Sequence, residues 1–355
     1  MYDAIIIGAR CAGSHTAMLL ARAGHSVLLV DKSTFPSDKL STYFVQPSGV
    51  KCLEDWGMLD AVIATNTPPI TSFIVYSGDD VLMEPPMDGV AYCPRRYLLD
   101  KILVDAAVAA GAELRTAFKV DEVVMDGDTV TGIVGHGRDG VQMCEAARFV
   151  IGAEGHHSLV ADAVNAPKYR EREPLTGGYY SYWSGVELSG AEIHISDRGG
   201  VLAFPTNDGL VCIAAGRARA EFSAYRANIE ETFFSILDAS PAFAAKVRAG
   251  KREERWMGTA DVPNFFRKPW GPGWALVGDA GYMKDPTTGL GIADAFRDAC
   301  LLATAIDSAL AGRAPAEEAL AAYQAQRDAA AIPMYDLTLQ MASGDMAEAL
   351  AAPSA

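Results

Sequence analysis

A continuous apolar run, DAIIIG at residues 3–8, leads into a glycine-bearing turn, and a second run, SVLLV at 26–30, ends on Asp31. Short apolar runs without alternation suit strands buried on both faces of a parallel sheet. Between them, residues 12–23 place Ala17, Leu20 and Ala21 on one helical stripe, and Gly24 supplies the stop. The segment 3–31 therefore reads as a β-α-β unit. Its two parallel strands need further layers on both sides, which commits much of the chain to covering them.

The turn itself is Gly8-Ala9-Arg10-Cys11-Ala12-Gly13. In this setting the dinucleotide fingerprint is G-x-G-x-x-G, and Arg10 stands at the middle glycine. Gly8 can make the tight turn and Gly13 can bring helix and sheet together. The free N–H groups at the helix start, at Cys11 and Ala12, offer partial positive charge to a pyrophosphate. Arg10 must either point away from the phosphates or pair with them. Asp31, with Lys32 beside it, closes the second strand where a carboxylate can accept from ribose hydroxyls. These features do not choose between NAD and FAD.

With 355 residues, about two domains are expected. The net charge of −15 argues against nucleic acid and anionic membrane as partners. No apolar stretch reaches spanning length, so stable membrane insertion is not expected. Met1-Tyr2-Asp3-Ala4 lacks the basic start of a signal peptide. Six scattered cysteines without C-x-x-C suit reduced thiols, a cytoplasmic location and no zinc site. The adjacent pair His156-His157 is read as loop structure, because neighbours in regular structure do not converge on one metal; the expectation is no metal.

Further helices are expected at 47–58, 97–110, 220–237, 291–310, 315–331 and 335–350. Strands and turns fill 113–151, an aromatic-rich antiparallel sheet 178–217, and a buried strand GWALVG spans 273–278. The order suggests a discontinuous nucleotide-binding domain (1–67, 93–168 and 263–312) with an inserted sheet domain (68–92 and 169–262) and C-terminal helices (313–355). The fold class is α/β, of mixed α+β character.

After the strand at 273–278 come Asp279 and then Pro286-Thr287-Thr288-Gly289-Leu290-Gly291-Ile292 before a long helix. An Asp at a strand end can hold a ribityl hydroxyl. Glycines in the loop permit close approach to a flat ring, and the helix start can stabilise negative charge on it. With these residues the chain resembles the FAD-dependent monooxygenase superfamily of the para-hydroxybenzoate hydroxylase type, including its geranylgeranyl reductase and flavin-dependent halogenase branches. Four motifs carry the resemblance: the Gly8–Gly13 turn with Asp31; Arg96-Tyr97-Leu98-Leu99-Asp100, like R-x-x-L-D; Gly152-Ala153-Glu154-Gly155-His156-His157-Ser158, like G-A-D-G-x-x-S; and Gly278-Asp279 with Pro286–Gly291. Phe35-Pro36-Ser37-Asp38-Lys39 resembles the F-P-R-D-K of the reductase and halogenase branches, with Ser41-Thr42 where Cys-Gly can follow.

The resemblance implies a Rossmann-like FAD-binding domain with an inserted, mainly antiparallel sheet for the substrate. It implies FAD held by Gly8, Arg10, Cys11, Ala12 and Gly13 at the pyrophosphate, Asp31 at the adenosine ribose and Arg96 at phosphate or ribityl. Val120 would lie near the adenine, Asp279 at ribityl or phosphate, and Gly289, Leu290, Gly291 and Ile292 at the pyrimidine edge. Glu154 for aspartate and Ala161 for an arginine depart from the pattern, and bear on NAD(P)H docking more than on FAD.

The implied activity is hydroxylation or epoxidation of a small aromatic or polyketide-like substrate by a reduced-flavin C4a-hydroperoxide. O2 is the co-substrate, and NAD(P)H or a separate flavin reductase the electron source. The alternatives are a C=C reductase of the geranylgeranyl type and a non-catalytic flavin-binding protein that sequesters a metabolite. The halogenase signature W-x-W-x-I-P is absent from the sequence. No fixed catalytic residue is required; Tyr180, Tyr182, Trp183, Phe204 and Pro286 are the pocket candidates, with Tyr43 and Gln46 able to approach the flavin.

Overall fold

The structure is a computed structural model that describes residues 1–38, 41 and 43–344. The expected β-α-β unit is β1 (Tyr2–Ile7), α1 (Cys11–Arg22) and β2 (Val27–Val30). β1 lies at the centre of a parallel sheet. It pairs with the strand Gln142–Gly152 on one side, Ile5 opposite Val150, and with β2 on the other, Ile5 opposite Leu28. Glu113–Arg115 and Trp274–Leu276 extend the sheet outward.

Alternation along β1 sends successive side chains to opposite faces. Ala4 and Ile6 join Leu29 and Phe149 beneath the helices α1, Arg96–Ala109 and Gly291–Leu310. Ile5 and Ile7 join Leu28 and Val150 against the hairpin Lys119–Asp126/Thr129–His136 and the short helix Leu159–Ala163. Val120, the expected adenine neighbour, sits in this hairpin opposite Gly135.

A second sheet runs from Thr176–Ser184 through Val211–Ala218 and Gly199–Pro205 to Ala191–Ser196, all antiparallel neighbours. The strand Phe73–Ser77 adds to its far side in parallel, Ile74 opposite Glu192. Period two sorts its aromatics. Tyr179 and Trp183 face a helical layer with Phe233, Ile236 and Phe243. Tyr180, Tyr182 and Phe204 face the other way, against Tyr43 and Phe44.

Several boundaries differ from expectation. The helix expected at 220–237 breaks at Asn228, whose φ of −139° and ψ of 65° are non-helical, leaving Phe222–Ala227 and Ile229–Leu237. Pro241–Ala249 follows as a helix the pattern did not announce. The two expected C-terminal helices are one, Ala316–Ala342, running through Pro333. A proline there removes one helical hydrogen bond. Packing of Ala331 and Tyr335 on Phe266 and Tyr282 holds the helix together across it. The strand expected at 273–278 covers only Trp274–Leu276, because the chain turns at Gly278 with φ +62°. The end of the expected helix 335–350 lies outside the described residues from 345, as do Lys39 and Thr42. Among the described residues no helix is long and apolar enough to cross a membrane.

Candidate active site

The turn after β1 requires glycine at its two ends. Gly8 has φ +103°, and a Cβ there would meet the Ala153 carbonyl oxygen at 2.5 Å. A Cβ on Gly13 would lie 1.8 Å from the Gly8 carbonyl oxygen. The middle position has no such demand: Arg10 is extended, with φ −110° and ψ −157°. Its guanidinium leaves the turn, pairs with Asp100 and donates to Ser37 Oγ at 3.0 Å. The sequence left two options for Arg10; here its guanidinium is engaged by Asp100 and Ser37, and Asp100 also faces Cys11 at the start of α1.

Asp100 is fully buried and takes both arginines. Arg96 grips it through Nε at 2.9 Å and Nη2 at 3.1 Å. Two guanidiniums sharing one carboxylate leave a net positive charge near the start of α1, where the amides already favour an anion. Burial pushes the Cys11 thiol up to about 12, so it stays protonated and faces Asp100 Oδ1 at 3.7 Å. Ala12 is buried beside it. Asp31 accepts from the Ala9 amide at 2.8 Å and the Ser33 amide at 2.7 Å, while Lys32 is exposed.

The second arm of the cleft begins where Trp274–Leu276 ends. Gly278 packs so close to α1 that its Cβ would meet Ala12 Cβ at 2.8 Å. Asp279 follows, exposed to solvent yet ringed by protein, and this crowding pushes its carboxyl pKa up. Among the described residues it has no hydrogen-bond partner, which leaves its carboxylate available to a ligand hydroxyl. Asp285 then fixes the loop: its amide donates to Asn264 Oδ1 at 2.7 Å, and its carboxylate takes Thr176 Oγ1 at 2.6 Å and the Thr287 amide at 3.1 Å. Gly289 adopts φ +64°, and Gly291 opens the helix Gly291–Leu310 with open space where a side chain would stand. Ile292 turns inward to the core and Leu290 stays half-buried.

Between the arms lies Glu154. Its Oε1 accepts from the Val160 amide at 3.1 Å, its Oε2 is buried without a partner, and burial raises its pKa to about 7. The glycine cradle, the charge-rich Arg10–Asp100–Arg96 group and the unpartnered Asp279 fit a pyrophosphate-linked dinucleotide with a polyol arm. Gly8, Cys11, Ala12, Gly13, Asp31, Arg96 and Asp279 are the residues that would hold it.

Next to the Thr287–Leu290 loop is a cavity of about 390 Å³. It is half open, walled by Phe44, Phe73, Val75, Ile193, Leu290, Met334, Leu337 and Met341, edged by Pro47, Pro85, Pro86 and Met87, and given polarity by Gln46, Asp88, Thr287 and Thr288. The sequence candidates relate to it indirectly. Phe204 stands behind Phe44 at 6.0 Å between rings, while Tyr180 pairs with Tyr43, their hydroxyls 3.0 Å apart. Tyr182 packs under the Arg95 guanidinium at 3.7 Å. Trp183 faces the helical layer with Phe233, and Pro286 is exposed at the outer edge of the loop. None of these five lines the cavity. Gln46 does. The stripe Met334, Leu337 and Met341, spaced three and four apart on one helix, was a signal available in the sequence. His194 is a core residue, stacked between Tyr76 and Phe243.

A glycine-lined nucleotide cradle and an apolar cavity beside the Thr287–Leu290 loop fit one class: an FAD-binding flavoprotein of the oxidoreductase type. Residues 1–338 match the family model described as "FAD binding domain", and the chain belongs to that family. It is similar to a squalene epoxidase of Aspergillus fumigatus, 25% identical over 330 residues, covering 84% of this chain and 65% of the relative. It is also similar to digeranylgeranylglycerophospholipid reductase 2 of Methanopyrus kandleri, 26% identical over 304 residues, covering 82% of this chain and 73% of the relative. This chain thus spans about two thirds to three quarters of those proteins' lengths. Among solved structures, the FAD-dependent myxobacterial chondrochloren halogenase superposes with a TM-score of 0.86 at 23% identity, over 94% of this chain and 81% of that one. That likeness is one of fold.

Proposed function

We propose that this protein is an FAD-dependent monooxygenase that hydroxylates or epoxidises a small apolar molecule. The observation that carries the reading is the cavity of about 390 Å³ abutting Thr287, Thr288 and Leu290. That loop is where the flavin ring edge is expected, so a molecule in the cavity would meet the reactive face. The volume falls in the range of about 300–1,000 Å³ used for small-molecule sites. Its size favours a compact substrate over the lipid-length tunnel that a C=C reductase would need.

Bound FAD, reduced by NAD(P)H or a separate reductase, supplies the electrons for O2 chemistry. The protein's own task is binding, orientation and exclusion of water. Phe44, Phe73, Val75 and Ile193 form an apolar wall from the second sheet and its neighbouring loop, and Met334, Leu337 and Met341 flank it from the C-terminal helix. Methionines adapt to irregular apolar shapes, so this wall suits a hydrocarbon better than a charged ring. Gln46 Nε2 reaches the Thr288 carbonyl oxygen at 3.5 Å and can orient one polar substituent.

The test is a turnover assay on FAD-saturated protein, reduced anaerobically with NADH or NADPH and mixed with isotopically labelled O2 and a panel of compact apolar alkenes and arenes. Label in a product supports the reading. Saturation of a C=C bond without O2, and no label in any product, would replace it with the reductase.

A further inference from the structure

His156 and His157 follow Gly155, whose φ is +90°. Successive residues in a strand face opposite ways, the ground on which no metal was expected of this pair. Here the pair sits in a loop, and its rings lie 3.9 Å apart at 44°. Both Nε2 atoms turn to one oxygen. Oδ2 of Asp261 lies 3.4 Å from His156 Nε2 and 3.3 Å from His157 Nε2. Asp261 comes from a distant part of the chain, the connection between Met257–Thr259 and Asn264–Arg267.

His156 Nε2 and Asp261 Oδ2 are within long hydrogen-bond reach, and both separations also match those of atoms sharing one ion. A charge-assisted N–H···O bond would be shorter, about 2.7–2.9 Å. A zinc ion about 2.0–2.1 Å from each ligand in tetrahedral geometry would set its ligand atoms about 3.3 Å apart. The three ligand atoms all lie within 4.8 Å of one another. The backbone behind them is held. The Asp261 amide donates to Thr259 Oγ1 at 3.0 Å, and the His156 carbonyl accepts from Arg267 Nη2 at 3.3 Å.

We propose that His156, His157 and Asp261 form a divalent-metal site of the zinc type. Two imidazoles and one carboxylate suit Zn²⁺, Ni²⁺ or Cu²⁺ better than Mg²⁺ or Ca²⁺. Three protein ligands leave a fourth position for water. The ion would pin the turn that carries Glu154, at the edge of the cofactor cleft, to the connection leading out of the second sheet. It makes no demand on the redox chemistry, since zinc has none. The site is independent of the reaction assigned above.

The probe is Zn²⁺ alone, titrated calorimetrically into tag-free full-length protein in a non-chelating buffer. His157 and Asp261 are exposed, with 78% and 66% of their side-chain surface free, so His157→Ala and Asp261→Ala should fold normally. The expected result is one Zn²⁺ per chain, affinity at least tenfold weaker in either variant, and a Zn²⁺-dependent rise in Tm in the parent only. Replacing Zn²⁺ with Co²⁺ should give the absorption of a tetrahedral ion in the parent and not in the variants. No saturable Zn²⁺ binding by the parent, or less than a threefold loss in both variants, would overturn the site.

Discussion

The Asp31 carboxylate receives the Ala9 amide at 2.8 Å, so the acid at the end of β2 is tied to the phosphate-binding turn after β1. The Ser33 amide occupies its other oxygen at 2.7 Å. One side chain thereby holds the turn in shape while keeping lone pairs for ribose hydroxyls.

Asp31→Ala is therefore expected to affect both stability and cofactor affinity. Leaving two amides unpaired should cost roughly 1–3 kcal/mol in urea unfolding, and FAD titration should show weaker binding. Lost stability with unchanged FAD affinity would reduce Asp31 to a structural clamp.

The Arg10–Asp100–Arg96 group predicts an asymmetry. Asp100→Ala strands two guanidiniums around a buried site and should destabilise the protein by about 3–5 kcal/mol. Arg10→Ala leaves the two Arg96 hydrogen bonds to Asp100 in place and removes a half-buried partner, so its cost should be well below that. Paired denaturant curves measure both. Equal losses would mean that Arg10, not Arg96, is the partner that matters.

Glu154 gives a pH dependence. Burial raises its pKa from the ordinary 4.5 to about 7. A raised carboxylate favours the folded state in its protonated form. Its contribution is complete below about pH 4.5 and is lost as pH rises to about 7, by at most roughly 3 kcal/mol. Glu154→Gln should therefore gain stability over the parent at pH 8 and much less at pH 5, at equal flavin content. A difference that does not change with pH would contradict the assignment.

The cavity can be filled without touching the cofactor residues. Leu337→Trp should leave the flavin spectrum intact while abolishing binding of an apolar fluorescent probe that the parent takes up. Unchanged probe binding would place the substrate elsewhere.

The geometry of the candidate cofactor site is largely legible in the sequence because each part is local. Gly8, Gly13 and Gly289 are demanded by turns a few residues long, and Asp31 and Asp279 lie at or just past strand ends. The Arg10 side chain was not legible, since its partner Asp100 is distant in sequence. The cavity was missed for a related reason. Phe73, Ile193 and Met334 meet only through a parallel addition to the second sheet and a helix that continues through Pro333, neither of which a local pattern announces. Period two did separate Tyr180 and Tyr182 from Trp183, but it could not say that Phe44 would stand between Phe204 and the cavity. The proposed metal cluster was not legible because Asp261 is distant in sequence, and because the pair stands in the loop after Gln142–Gly152 rather than in the regular structure that the adjacency argument assumed.

The most direct test of the cofactor cleft is an FAD titration of the protein against Asp279→Ala, followed by quenching of flavin fluorescence and by flavin retained through gel filtration. Saturable binding of one FAD per chain, with flavin lost from the variant, is the predicted result. No FAD binding by the parent, or equal retention by the variant, would contradict the account.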